Sequence, residues 1–191
     1  MALHLATTPE ANDFLADDPL ALLVGMLLDQ QIPMEKAFTS PQVLAERMGV
    51  KRLDAHAIAD YDPAEFEAIF RQVPALHRFP AAMATRVQEL GRALVAQYDG
   101  DTESIWRTVE DGPALVKRIA GLPGFGEQKA RIFTALLGKQ FDIRPAGWDT
   151  AAGSYGESGS YRSVADVVDA ESLAKVREYK QAQKAAAKAG K

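Results

Sequence analysis

The residues best suited to chemistry in this chain lie in two short stretches, Gly121-Leu-Pro-Gly-Phe-Gly126 and Asp29-Gln30-Gln31. In the first, two glycines separated by one residue let the backbone turn sharply and leave its N–H groups unobstructed. A helix follows directly, and the positive end of its dipole favours an anion. A phosphate would fit there without any side-chain charge, although a lone Gly-x-Gly also suits a tight helical turn that binds nothing. In the second stretch, Gln30 and Gln31 carry amides that both donate and accept, beside the carboxylate of Asp29. A further carboxylate, Asp149, follows Trp148 in Arg144-Pro-Ala-Gly-Trp-Asp149. The chain has no cysteine, which excludes disulfides, thiolate metal sites, cysteine-ligated iron–sulfur clusters and cysteine nucleophiles. His4, His56 and His77 show no metal-ligand spacing, so no side-chain metal site and no cofactor are expected.

The elements that must position these residues read as helices. Four times a capping residue precedes proline, at Thr8-Pro9, Asp18-Pro19, Ser40-Pro41 and Asp62-Pro63, and each pair predicts a helix start. From Pro19 to Gln31 the apolar Leu20, Leu23, Val24, Leu27 and Leu28 recur at helical spacing, predicting a buried helix. A run from Pro80 with Met83, Val87, Leu90, Leu94 and Val95 predicts the longest helix, ending at Asp99-Gly100 where glycine can take a left-handed cap. Apolar stripes on either side of Gly121–Gly126 give a helical hairpin over 113–139. No run alternates apolar and polar residues between turn signals, so the class is all-α. Between Arg144 and Ser160 the composition turns rich in glycine and serine, which predicts a long functional or mobile loop before a last helix over roughly 170–187.

Net charge is −4, against the basic surplus usual in nucleic-acid partners, but the charges are segregated. Between Pro113 and Pro145 six basic residues face two acidic ones, and between Lys175 and Lys191 six face one. Positive potential is thereby concentrated on the hairpin and the last helix. The basic face of that helix is either solvated or touches DNA, and the frequency of solvated charge runs favours the former.

Leu122-Pro-Gly-Phe-Gly126 followed by Ala130, with apolar helices on both sides, resembles the HhH-GPD superfamily of base-excision DNA glycosylases, in endonuclease III-like and AlkA-like form. Gly25-Met-Leu-Leu-Asp-Gln-Gln-Ile32 is similar to the early buried helix of that family, and the resemblance spans roughly Asp17 to Thr150. It implies a two-lobed all-α fold whose hairpin grips double-stranded DNA carrying a damaged base, with Leu122, Gly124, Phe125, Gly126, Gln128, Lys129, Gln30 and Gln31 at the DNA. It also implies a catalytic aspartate about twenty residues beyond the hairpin, which Asp149 matches, and a monovalent cation at the hairpin carbonyls. Trp148 and Asp29 are the base-pocket candidates, with Tyr155 and Tyr161 as further stacking residues, though each aromatic also suits a core position; Asp29 is also the alternative acid to Asp149, although a helix-end aspartate suits solubility or a local hydrogen bond equally. Asp149 can equally cap the turn through Thr150, and one glutamine can equally satisfy the helix end before Pro33.

Members that also cut the backbone carry lysine where this chain has Gln128. Lys129 is one helical step, about 100°, away and should face elsewhere. An amide is no amine nucleophile, so the expectation is a monofunctional glycosylase without an iron–sulfur cluster, nearer the alkylation-repair branch or in a small branch of its own, with a non-catalytic reader of damaged DNA as the alternative. The organisation expected is an N-terminal segment over 1–16, the main domain over 17–150, and a loop and basic helix over 151–191 packing on the same fold. A monomer with no membrane span, cytoplasmic and nucleoid-associated, completes the expectation.

Overall fold

A computed structural model describes residues 3–190, and among them helices are the repeating element, with one isolated parallel bridge between Asp111 and Ala146. Thr8 accepts the Ala11 N–H and opens α1 (Pro9–Asp17), and Asp18 accepts the Ala21 N–H and opens α2 (Pro19–Leu28). Every residue of α2 from Leu20 to Leu28 is buried. Next comes α3 (Met34–Met48), and here the structure departs from the sequence reading: Pro41 lies inside this helix and starts nothing. An interior proline costs about 3 kcal/mol. Full burial of Phe38 and Leu44 contributes about 1.5–3 kcal/mol each, which outweighs it. Ser40, freed from capping, shares its hydroxyl between the carbonyls of Lys36 and Leu76. Where α2 meets α3, a Cβ at Gly25 would stand 2.7 Å from the Phe38 ring, so only glycine permits this approach.

Asp54 and Asp62 cap α4 (Ala55–Asp60) and α5 (Pro63–Arg71), and both helices pack on α6 (Pro80–Tyr98) to complete the first lobe. At the end of α6 both Asp99 and Gly100 take left-handed backbone, so the aspartate shares the role assigned to the glycine. The N-terminal segment is part of this lobe: α1 packs on α3, and Leu3, Leu5 and Leu15 join the common core.

The second lobe contains α7 (Ser104–Arg107), α8 (Gly112–Ala120), α9 (Glu127–Gln140), α10 (Trp148–Ala151) and α11 (Ala170–Ala189). Because α8 and α9 form an antiparallel pair, the Leu122–Gly126 turn lies at one end, and the start of α8 and the end of α9 lie at the other. At that far end Gly112 donates to the Ala146 carbonyl, and the Trp148 ring lies on Gly138. At 20 residues, α11 exceeds the 19 of α6.

The glycine- and serine-rich stretch expected as one long loop is instead short helices held on α9. Lys139 donates to Asp166 at 2.5 Å and to the Glu157 carbonyl at 2.7 Å, while Gln140 donates to the carbonyls of Ala165 and Val167. Asp166, nearly inaccessible, also accepts the N–H groups of Arg162 and Ser163. Local composition gave no sign of the bonds to α9 because Lys139 and Gln140 lie 18 to 27 residues from the groups they hold. A methyl group at 138 would overlap the Trp148 ring. Gly138→Ala is therefore expected to lower stability by about 1–3 kcal/mol in urea unfolding and to change tryptophan fluorescence, as overpacking does.

Candidate active site

The end of α2 leaves its last carbonyls without helical partners. Leu27 O accepts from two side chains, Gln30 Nε2 at 2.8 Å in its own lobe and Lys129 Nζ at 3.1 Å from the first turn of α9. The two lobes are thus joined at one atom. Gly124, with φ +82, brings the hairpin against the same helix, since a Cβ there would stand 3.0 Å from Leu27 Cδ1. Leu122 and Phe125, expected at the DNA, are turned inward: both are buried, and Phe125 meets Phe133 edge-on. Their side chains fix the turn and leave its backbone to do the binding.

That backbone is open. Gly126 has extended ψ and free space where a Cβ would be, and α9 has no side-chain cap, unlike α1, α2, α4, α5, α8 and α11. The N–H groups of Gly126, Glu127, Gln128 and Lys129 have no acceptor among the described residues. Four such donors at a helix start suit a phosphate oxygen. The carbonyls of Gly121 and Gly124 accept no backbone hydrogen bond either, and oxygen donors of this kind fit a monovalent cation.

Beside the hairpin, residues 29–33 form a short non-helical turn. Gln30 is held by its bond to Leu27, by Arg86 Nη1 at 3.3 Å and by His77, whose Nε2 donates to the Gln30 carbonyl at 2.9 Å. Gln31 has left-handed backbone at φ +58 and an exposed side chain with no partner among the described residues. Asp29 closes α2, half-buried, and its carboxylate makes neither hydrogen bond nor ion pair among the described residues. Burial pushes its pKa up, against the opposing pull of Lys180 and Lys129. Burial likewise lowers the pKa of Lys129, which Asp29 partly restores. A cleft of about 750 Å³ opens here, lined by Asp29, Gln31, Met34, Arg78, Val176 and Lys180 among others.

The profile of HhH-GPD superfamily base excision DNA repair proteins matches residues 24–189 of the chain. The chain belongs to this superfamily. No curated protein and no solved structure gives a match. An HhH-GPD protein acts in base excision DNA repair, and the all-α, two-lobed architecture is that of the superfamily.

Within this HhH-GPD protein the expected site residues divide. Asp29, Gln30, Gln31, Lys129 and the Gly124–Gly126 backbone come together. Gln128 points away from Lys129, donating to the Tyr155 hydroxyl at 2.9 Å, as the helical step required. Asp149 and Trp148 lie at the far end of the hairpin, against the last turns of α9 and roughly 17 Å along the helix from its start. Asp149 is exposed and accepts the N–H of Thr150, the local capping bond that the sequence left open. With Trp148, Arg144 and Tyr161 it borders a separate cavity of about 790 Å³. Distance along the sequence does not reveal this, because the chain passes through α10 and a 3-10 turn over Gly153–Tyr155 before it returns to Gln128 at Tyr155.

His77 and Arg86 are site-building residues that sequence reasoning missed, and their contacts cross 47 and 56 positions with no local signal. His77 is buried, and its Nδ1 accepts the Phe79 N–H at 3.0 Å. Accepting the Phe79 N–H at Nδ1 requires the neutral ring, and burial holds its pKa below the usual 6.5. The unfolded chain binds the proton first, so the stability carried by neutral His77 is complete above about pH 6.5 and is lost as pH falls below it. His77→Phe is expected to cost about 2–4 kcal/mol at pH 7.5, from two orphaned backbone groups. The same variant should show a shallower loss of thermal stability than wild type between about pH 6.5 and 5.

Proposed function

We propose that the chain is a monofunctional DNA glycosylase whose working carboxylate is Asp29. The observation that carries this reading is a half-buried carboxylate without a partner, lying between the open hairpin backbone and the free amide of Gln31. With a phosphate on the Gly126–Lys129 N–H groups, the adjacent sugar would face the cleft. A damaged base must leave the stack to be reached, and Gln31 is suited to filling the gap and pairing with the orphaned base. As the C1′–N bond breaks, its electrons leave with the base and positive charge grows on the sugar, where an ionised Asp29 stabilises it. Asp29 then accepts a proton from the water whose oxygen bonds to C1′, for which a raised pKa makes it a better base. The absence of a lysine at 128 and of cluster-binding cysteines sets the chain nearer the alkylation-repair branch, so alkylated purines head the substrate panel. One molecule on one asymmetric duplex suffices for this chemistry.

A second reading rests on Lys129, whose amine pKa is lowered by burial, as an amine nucleophile requires. Its bond to Leu27 O instead engages the amine in joining the lobes.

Single-turnover base release from duplexes bearing one alkylated, deaminated or oxidised base tests these roles. Asp29→Asn is expected to reduce release by about 10²–10⁴-fold while duplex binding persists, and Asp149→Asn to leave it near wild type. Loss in Asp149→Asn with retention in Asp29→Asn would reverse the assignment. In wild type the rate should fall as pH drops through an apparent pKa above 3.8, the ionised carboxylate being the active form. Gln31→Ala should weaken lesion-duplex binding about tenfold, the loss of one or two hydrogen bonds. Borohydride should trap no adduct, and a trapped adduct lost in Lys129→Met would establish the amine reading. Binding with no release from any lesion would identify a non-catalytic reader of damaged DNA.

A further inference from the structure

The last helix is not needed in full to complete the core. Its first half is anchored by Leu173 and by buried Val176, and Arg177 pairs with Glu35 beside the cleft. From Gln181 to Ala189 every residue is exposed, yet the backbone stays helical through a run rich in alanine, glutamine and lysine, all strong helix formers. At 100° per residue, Arg177, Lys180, Lys184 and Lys188 fall within an arc of about 80°. Lys175 lies opposite that arc, paired with Glu171 and stacked over Tyr161, and Glu178 also lies away from it.

This stripe begins in the cleft. Arg177, Lys180 and Lys184 line it together with Asp29 and Gln31, so Asp29 stands between Lys129 of the hairpin and Lys180 of α11. Beyond the cleft, Lys184 and Lys188 have no acidic partner among the described residues, in a chain whose net charge is −4. A row of cations about 17 Å long, continuous with the cleft, complements a polyanion of regular spacing. Lysines near a helix C-terminus also favour its dipole, but that effect falls off within the last turn and does not demand one face.

We propose that the Arg177–Lys188 face of α11 is a second DNA-contacting surface, which holds the sugar-phosphate backbone across the cleft from the hairpin. It rests on the DNA-binding reading above. The hairpin supplies neutral backbone donors at one phosphate, whereas α11 supplies mobile ammonium groups along several. The arm therefore governs salt-dependent affinity and not the choice of base.

The test is the salt dependence of binding to an undamaged duplex, followed by fluorescence anisotropy for full-length wild type, Lys184→Gln/Lys188→Gln and Lys175→Gln. Glutamine keeps the helix propensity, and circular dichroism checks that helix content is retained. Two lost phosphate contacts should make the slope of log K against log salt shallower by about 1.8 in the double variant, with no change in Lys175→Gln. An unchanged slope in the double variant, with salt-dependent binding in wild type, overturns the α11 surface alone. An equal loss per charge in Lys175→Gln overturns it too, by showing a general charge effect. Absence of binding by wild type even at low salt would overturn the DNA-binding reading beneath it.

Discussion

The structure turns on the carbonyl oxygen of Leu27. A helix whose residues from Leu20 onward are all buried has to end somewhere, and its last carbonyls cannot be left dry without a cost of about 1–3 kcal/mol each. Satisfying Leu27 O from Lys129 obliges the hairpin lobe to dock where α2 stops. The turn at 29–33, the free carboxylate and the open N–H groups of α9 are brought together by that requirement. Gln30 serves the same oxygen from its own lobe, whereas the Gln31 amide faces outward.

Electrostatically the site is a compromise. A carboxylate at the negative end of a helix and away from bulk water is doubly disfavoured, and the two lysines on either side restore part of what it loses. Lys129 is itself poorly solvated, so neither partner is at ease in its charged state. Such mutual perturbation in a cleft makes the pair a candidate for function.

Much of the architecture was legible in the sequence because it is written in local rules. Cap-plus-proline pairs located α1, α2 and α5, and helical periodicity located α6, α8 and α9. Ser40-Pro41 misled because tertiary burial of Phe38 and Leu44 overrode a local rule. The Gly-x-Gly turn was readable as a phosphate seat, but the inward direction of Leu122 and Phe125 was not, since a turn's sequence does not say which side faces the core. Asp149 and Asp29 were both visible as carboxylates. Where each lies depends on the path of the chain after α9, where Trp148 is fixed on Gly138 with Asp149 beside it, and local sequence does not reveal that path. His77 was illegible for the related reason that its partner lies in another helix's terminal turn.

The contact between Gly124 and Leu27 has a metric consequence. With no side chain at 124, the hairpin seats directly on α2, and the span from the Gly124–Gly126 backbone to the end of α2 is set by backbone against a core leucine. Close-packed cores do not deform continuously, so this span behaves as a fixed gauge. The separation between the hairpin backbone and the end of α2 is therefore held by packing and not by a side chain that could swing aside.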